Sequence, residues 1–307
     1  MSSPVVVLSG GSGGAKLARG MLDVVGADQL VVIANTGDDL EIYGAYVSPD
    51  PDLVTFWLAD QVDGRGWGLR NDTFRVMDGL RQLGFEVWFN LGDRDLAMGI
   101  ERARLLAAGA RLTDAQAALA AALGVRARVL PMSDLPVRTR VLAHRRWWPF
   151  QEFMIKARAE GPVDDLTFVG GASAAATPEA LQAIATARAV VIGPSNPVIS
   201  IGPILATAGM REALTETEAP VVAVSPIVRG TVLKPATMPL MEWAGYELNA
   251  KGIAGFYDGL LDGLVADEET GGLPVLRTDM LMADGDGRRR LAQETLEFAL
   301  ALADRAR

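Results

Sequence analysis

Apolar and polar positions along the first forty residues fall into the rhythm strand, loop, helix, strand. Pro4 to Leu8 is a short unbroken apolar run, which predicts a strand covered on both faces. Ser9-Gly10-Gly11-Ser12-Gly13-Gly14 predicts a flexible turn. From Ala15 to Val25, the residues Leu17, Met21, Leu22 and Val25 recur on one helical face, and Leu30 to Ala34 predicts a second strand. Further apolar runs at Glu86–Phe89, Ala127–Leu130, Thr167–Val169, Ala189–Ile192 and Val221–Val224 read as strands. Helical patterns lie between them: Leu96 to Ala108, Asp114 to Leu123 with Thr113 and Gln116 spaced as a capping box, and Pro178 to Ala187 with Thr177 as N-cap.

Strands alternating with helices predict an α/β fold, a Rossmann-like and mostly parallel sheet with helices on both faces. Val137–Leu142 and Trp147–Phe153 break the rhythm. They predict a β-hairpin, or a small inserted subdomain at about residues 135–158, within a single domain spanning 1–307. Gly287 to Arg307 predicts an amphipathic terminal helix.

Composition narrows the chemistry. The chain has no cysteine, so disulfides, thiolate metal sites and cysteine nucleophiles are excluded. Its only histidine, His144, sits among Arg145, Arg146, Trp147 and Trp148 and reads as a surface residue. A bound metal would therefore be Mg2+ on carboxylates and phosphate oxygens. A net charge of −9 disfavours nucleic acid and anionic membrane surfaces. The N-terminal apolar run is too short for a signal peptide or a membrane span, and a cytoplasmic location is expected.

Candidate chemistry clusters at expected strand ends. Gly10, Gly11, Ser12, Gly13 and Gly14 follow the first strand, where backbone N–H groups and a helix N-terminus can face a phosphate. Gly14-Ala15-Lys16-Leu17 does not close a Walker A loop, and Lys16 stands where a dinucleotide fingerprint needs glycine. That leaves a nucleotide loop of another type, or a tight turn with no ligand. Asn35-Thr36-Gly37-Asp38-Asp39 and Ser48-Pro49-Asp50-Pro51-Asp52 place carboxylates after the second strand, where Mg2+ binding, polar-ligand binding and plain solvation are all open. Arg94, flanked by Asp93 and Asp95, could clamp a phosphate or serve as a structural ion pair. Ser195 and Asn196, between Pro194 and Pro197, form a stiff loop after Ala189–Ile192.

Taken in order, Leu8-Ser9-Gly10-Gly11-Ser12-Gly13-Gly14, Asn35-Thr36-Gly37-Asp38-Asp39, Ser48-Pro49-Asp50, Arg70-Asn71-Asp72-Thr73-Phe74, Leu91-Gly92-Asp93-Arg94-Asp95, Leu130-Pro131-Met132-Ser133-Asp134, Phe150-Gln151-Glu152-Phe153 and Gly193-Pro194-Ser195-Asn196-Pro197 resemble the 2-phospholactate transferase family. The match runs from about Val5 to Asp267. The resemblance implies a Mg2+-dependent homodimer that takes a guanosine-diphosphate-activated phospho-acid as donor and the deazaflavin Fo as acceptor. The product is the phosphodiester of coenzyme F-420 assembly, with release of GMP. On this reading Asp50, Asp52 and Arg94 act in catalysis, and Asp38, Asp39 and Asp50 hold the metal. Gly10 to Gly14, Asn35, Asp93, Ser195 and Asn196 bind the substrates.

The chain departs from the family's usual text in several places. Pro51-Asp52-Leu53 lacks a threonine, Leu96-Ala97-Met98-Gly99 replaces a run ending in Thr-His, Pro149 replaces a histidine, and Arg138 and Arg140 stand where smaller or neutral residues are usual. The donor acid (phospholactate, phosphoenolpyruvate or 3-phosphoglycerate) is therefore left open. Two other classes compete. A non-catalytic nucleotide-sugar-binding regulator has a similar glycine loop but reads Asp-Asp-Gly-Gly-Ser-Ser after strand two, against Gly37-Asp38-Asp39-Leu40-Glu41 here. An NAD-dependent oxidoreductase lacks its fingerprint.

Overall fold

The computed structural model describes residues 3–228, 230–232 and 237–306. Strand β1 (Val5–Ser9) lies inside a seven-stranded sheet, paired with β2 (Leu30–Ala34) on one side and Ala189–Ile192 on the other. Arg128–Pro131 extends the β2 side. Val221–Val224, Gly263–Ala266 and Val275–Arg277 extend the other, and every pair is parallel. This doubly wound order reverses direction at β1, which opens a crevice at the carboxyl ends of β1 and Ala189–Ile192.

Strand periodicity splits the core in two. Val5 and Val7 pack with Leu17, Met21 and Leu291 on one face, whereas Val6 and Leu8 pack with Val141, Phe153 and Ile184 on the other. Both faces are dry, which accounts for the continuous apolar runs. Helix α1 (Gly11–Val25) packs between the terminal helix Gly285–Ala306 and α2 (Pro49–Leu58). Three more helices, α3 (Arg75–Gln82), α4 (Asp93–Ala107) and α5 (Leu112–Ala122), fill the connection to Arg128–Pro131.

The expected hairpin exists as Arg138–Ala143 and Arg146–Pro149, turned by His144 and Arg145 at φ of 53° and 61°. Two consecutive positive φ values suit the tight turn that matches strand twist. The chain then enters α6 (Phe150–Ile155), so the second strand stops earlier than the expected Phe153. Thr167–Val169 closes a longer strand, Val163–Val169, which joins the hairpin antiparallel instead of entering the main sheet. The excursion thus reaches past residue 158. Its Val141, Phe153 and Leu166 share one core with Val6 and Leu8, so it rests on the sheet as part of the same body.

Other differences have local causes. Helix α1 begins at Gly11, so most of the expected turn is its first turn. Glu86–Phe89 forms no strand and runs as a loop along a cleft wall. Thr113 does not cap α5. Asp134 does so instead, accepting from the Thr113 N–H at 2.8 Å and from its hydroxyl at 2.7 Å, while Gln116 turns inward to Thr55 at 2.9 Å. Thr177 caps α7 (Pro178–Ala185) as expected, accepting from the Ala180 N–H at 3.3 Å. The terminal helix starts at Gly285, and Arg307 lies outside the described residues.

Candidate active site

The glycine loop is shaped by the strand beside it. Gly193 N–H donates to Leu8 O at 2.9 Å, and Gly10 N–H donates to Ser195 Oγ at 3.1 Å. These bonds draw Pro194–Ser195 onto the start of α1. A Cβ on Gly13 would run into the carbonyl oxygen of Pro194, and one on Gly14 would lie 2.6 Å from Ser195 Oγ. Close approach therefore requires both glycines. Gly10, the N-cap of α1, has no side chain to offer, and Ser12 and Gly13, whose N–H groups have no acceptor within the helix, line the cleft.

Asp50 ties this loop to β2. Pro49 opens α2, which presents Asp50 in its first turn. Asp50 Oδ1 accepts from Gly11 N–H at 2.6 Å, and Oδ2 accepts from Asn35 Nδ2 at 2.9 Å. Asn35 in turn accepts from Gly37 N–H at 2.7 Å through Oδ1. Asn35 is fully buried behind the cleft, where it orients Asp50.

Other expected site residues separate from this group. Asp39 is buried, accepts from Ser48 Oγ at 2.8 Å and lies off the cleft wall. Burial pushes its carboxyl up to about 7, against the pull of Arg138 and the Ser48 hydroxyl. Asp52 lines the cleft yet is ion-paired with the fully buried Arg102, whose Nη1 also reaches Asp52 Oδ2 at 3.1 Å. Nothing in the spacing of Asp52 and Arg102, fifty residues apart, signals that pair.

Asp93 and Arg94 are absent from the cleft's described lining. Asp93 caps α3, accepting from the N–H groups of Arg75 at 3.1 Å and Val76 at 3.0 Å. The Thr73 hydroxyl, followed by these N–H donors, holds its carboxyl below the usual range. Asp72 reciprocates by capping α4 through Arg94 N–H at 2.9 Å and Asp95 N–H at 3.2 Å. The Arg94 guanidinium donates to Arg70 O at 3.0 Å and Gln61 Oε1 at 2.9 Å, clamping a loop. Arg138 and Arg140 are also absent from the lining. Arg138 instead stacks over Tyr46, and Arg140 over Trp147.

A cleft of about 960 Å³ collects what remains: Gly10 to Gly13, Lys16, Asp38, Asp50, Asp52, Ser195 and Asn196. Asn196 Oδ1 accepts from Val198 N–H at 2.9 Å and Ile199 N–H at 3.2 Å, which caps the turn after the stiff loop. The same cleft holds Trp67, Asp95 from the expected Arg94 cluster, and residues the sequence did not single out, above all Trp88, Phe89, Met280 and Met282. Trp88 and Phe89 pack with ring centroids 5.5 Å apart, and Lys156 Nζ sits 4.5 Å from the Trp88 ring. The two aromatics between Glu86 and Asn90 were the available signal, but an apolar run reads equally well as a strand.

Lys16 is the only lysine or arginine among the cleft's described lining residues. Among the described residues no three acidic or histidine side chains group so as to hold a metal by themselves. Asp38 and Asp50 both line the cleft, and Mg2+ is usually held by one or two carboxylates with ligand phosphates and water completing the shell. Asp39, turned towards Ser48, does not join them.

A family model described as "2-phospho-L-lactate transferase CofD" matches residues 5–279. The chain is 37% identical to the 2-phospho-L-lactate transferase of Methanosarcina mazei, over 94% of this chain and 98% of that one. It is also 37% identical to the phosphoenolpyruvate transferase of Streptomyces griseus, over 96% and 98%. Among solved structures, a Bacillus halodurans member of the upf0052 family superposes with a TM-score of 0.63 at 15% identity, over 96% of this chain and 99% of that one. At that identity the likeness concerns the fold.

Proposed function

Because the chain belongs to the 2-phospho-L-lactate transferase CofD family, we propose that it moves a phosphorylated three-carbon acid from a guanosine-diphosphate-activated donor to the terminal hydroxyl of the deazaflavin Fo, releasing GMP in coenzyme F-420 assembly. The observation that carries this reading is the make-up of one cleft. Gly10 to Gly13, Asp38 and Asp50 suit a metal-bound diphosphate, and Trp67, Trp88 and Phe89 suit a flat heteroaromatic ring. Attack of an alcohol on phosphorus needs charge neutralisation and in-line positioning more than covalent catalysis.

With Lys16 the one lysine or arginine among the described lining residues, backbone N–H groups and a bound cation would help offset the diphosphate charge. Mg2+ on Asp38 and Asp50 would supply that neutralisation when bound. Asn35 orients Asp50, while Ser195 fixes the glycine loop through Gly10. Asp52 supports α2 through Arg102, and its role is structural.

The donor acid stays open on identity alone, since transferases named for 2-phospho-L-lactate and for phosphoenolpyruvate both stand at 37%. The test is a mass-spectrometric assay with purified protein, Fo and Mg2+. A guanylyltransferase and GTP generate each donor in place from phospholactate, phosphoenolpyruvate or 3-phosphoglycerate. A deazaflavin product with one acid supports the transferase and assigns the donor. No product with any donor shown to form, together with tight UDP-sugar binding, favours the regulator.

The working form is proposed to be a homodimer in the cytoplasm. Light scattering on the purified protein checks the first point. No helix among the described residues is long and apolar enough to cross a membrane.

A further inference from the structure

Asp38, Asp50, Asp52 and Asp95 line the cleft, and they are not equivalent. Both oxygens of Asp50 already accept hydrogen bonds, from Gly11 N–H and Asn35 Nδ2. Asp52 is locked to Arg102. Asp95 stands in the first turn of α4, where its own N–H is pinned to Asp72 Oδ2 at 3.2 Å, yet no hydrogen bond within the described residues reaches its carboxylate. The backbone is fixed while the carboxylate is left to the cleft.

The charged groups facing Asp95 are Asp52 on α2, Asp72 on the preceding loop and Arg102 two turns along α4. Burial first, then repulsion from Asp52 and Asp72, push its carboxyl up to about 7, with Arg102 opposing. A group that exchanges its proton near neutral pH is well matched to taking one from an alcohol in flight.

We propose that Asp95 is the catalytic proton acceptor for the attacking hydroxyl in this cleft. The inference rests on the transferase reading above. In the step, the acceptor O–H bond breaks and its proton moves to the Asp95 carboxylate as the oxygen bonds to the acid-bearing phosphorus. The bridging P–O bond of the diphosphate breaks, and its electron pair leaves on the phosphate of GMP. The proton on Asp95 then passes to water.

The experiment compares wild type, Asp95→Asn and Asp95→Glu in the Mg2+-dependent transfer assay between pH 5.5 and 8.5, with Fo binding followed by fluorescence. Wild type should gain rate as pH rises through about 7, when Asp95 ionises. Asp95→Asn should lose 10²- to 10⁴-fold in kcat, flatten that limb, and keep its KM for both substrates within about threefold. Asp95→Glu should recover part of the rate. Removing one of three neighbouring carboxylate charges should leave the thermal midpoint unchanged or raised, so a folding defect is separable from lost chemistry. An Asn variant that keeps its kcat or its acidic limb, or that loses Fo affinity instead of rate, overturns the proposal alone. An inactive wild type removes the transferase reading itself and this inference with it.

Discussion

The Arg102 guanidinium lies fully buried against the carboxylate of Asp52, joining α4 to α2 beneath the cleft. Its Nη1 also donates to Tyr46 O at 3.0 Å, and Nη2 donates to Gln116 Oε1 at 3.1 Å, so one side chain ties three segments. Breaking a buried pair from one side strands the other charge. Arg102→Ala should cost about 3–5 kcal/mol, whereas Asp52→Leu with Arg102→Met together should recover most of that loss. Urea unfolding of the three proteins decides it. A cost under about 1 kcal/mol for Arg102→Ala would remove the pair from the list of supports.

Asp39 predicts a pH effect on stability. Its folded-state carboxyl titrates at about 7, above the ordinary value of 3.8, because burial disfavours the charge. Between those values the folded chain holds a proton that the unfolded chain has released, so this group's contribution to stability falls as pH rises from about 4 through 7. Each pKa unit corresponds to about 1.4 kcal/mol. Asp39→Asn should therefore gain stability relative to wild type at pH 8 and show little difference at pH 4.5. Equal gains at both pH values would contradict the buried, proton-holding reading.

Gly13 tests whether the loop's closeness to Pro194 matters. A methyl there meets the Pro194 carbonyl oxygen, so Gly13→Ala must push α1 away from the Pro194–Ser195 turn. Overpacking of this kind costs about 1–3 kcal/mol. The Gly10 N–H to Ser195 bond should weaken with it, raising KM for the donor by about five- to 150-fold for the same energy. Gly64→Ala, with nothing within 4 Å of the added carbon, is the control and should change neither property. Unchanged donor KM in Gly13→Ala would detach this loop from donor binding.

The sheet was legible because its strands are short apolar runs buried on both faces, and β1, β2, Ala189–Ile192 and Val221–Val224 fall where the runs do. Gly263–Ala266 and Val275–Arg277 were not read as strands; they are only four and three residues long, with little pattern to detect. At the site, Gly10 to Gly13, Asp38, Asp50, Ser195 and Asn196 do converge, since all sit in the loops or first helical turns that follow neighbouring parallel strands. What local text cannot carry is side-chain direction. Asp93-Arg94-Asp95 reads as one acidic-basic cluster, yet Asp93 turns back to cap α3, Arg94 grips Arg70 and Gln61, and Asp95 alone reaches the cleft. The three point differently because successive helical positions lie about 100° apart. Only the partners chosen in space distinguish a capping carboxylate from a reacting one.

Trp88 offers the most direct test of which ligand the apolar wall receives. It lines the cleft beside Phe89, and Lys156 Nζ rests 4.5 Å from its ring, held also by Glu152 at 3.5 Å. A ring packed by a neighbouring aromatic and a cation is already ordered before a ligand arrives, so stacking costs it little entropy. Stacking between a base-sized ring and an aromatic side chain contributes about 1–3 kcal/mol. Trp88→Ala should therefore weaken Fo binding by roughly ten- to hundredfold while leaving the KM of the nucleotide donor within about threefold. Trp88→Phe, which keeps an aromatic face, should retain most of the affinity. Fluorescence titration with Fo gives the first number and the transfer assay gives the second. If Trp88→Ala raised the donor KM and spared Fo, the aromatic wall would belong to the guanine base, and the acceptor would have to enter by the Met280–Met282 side of the same cleft.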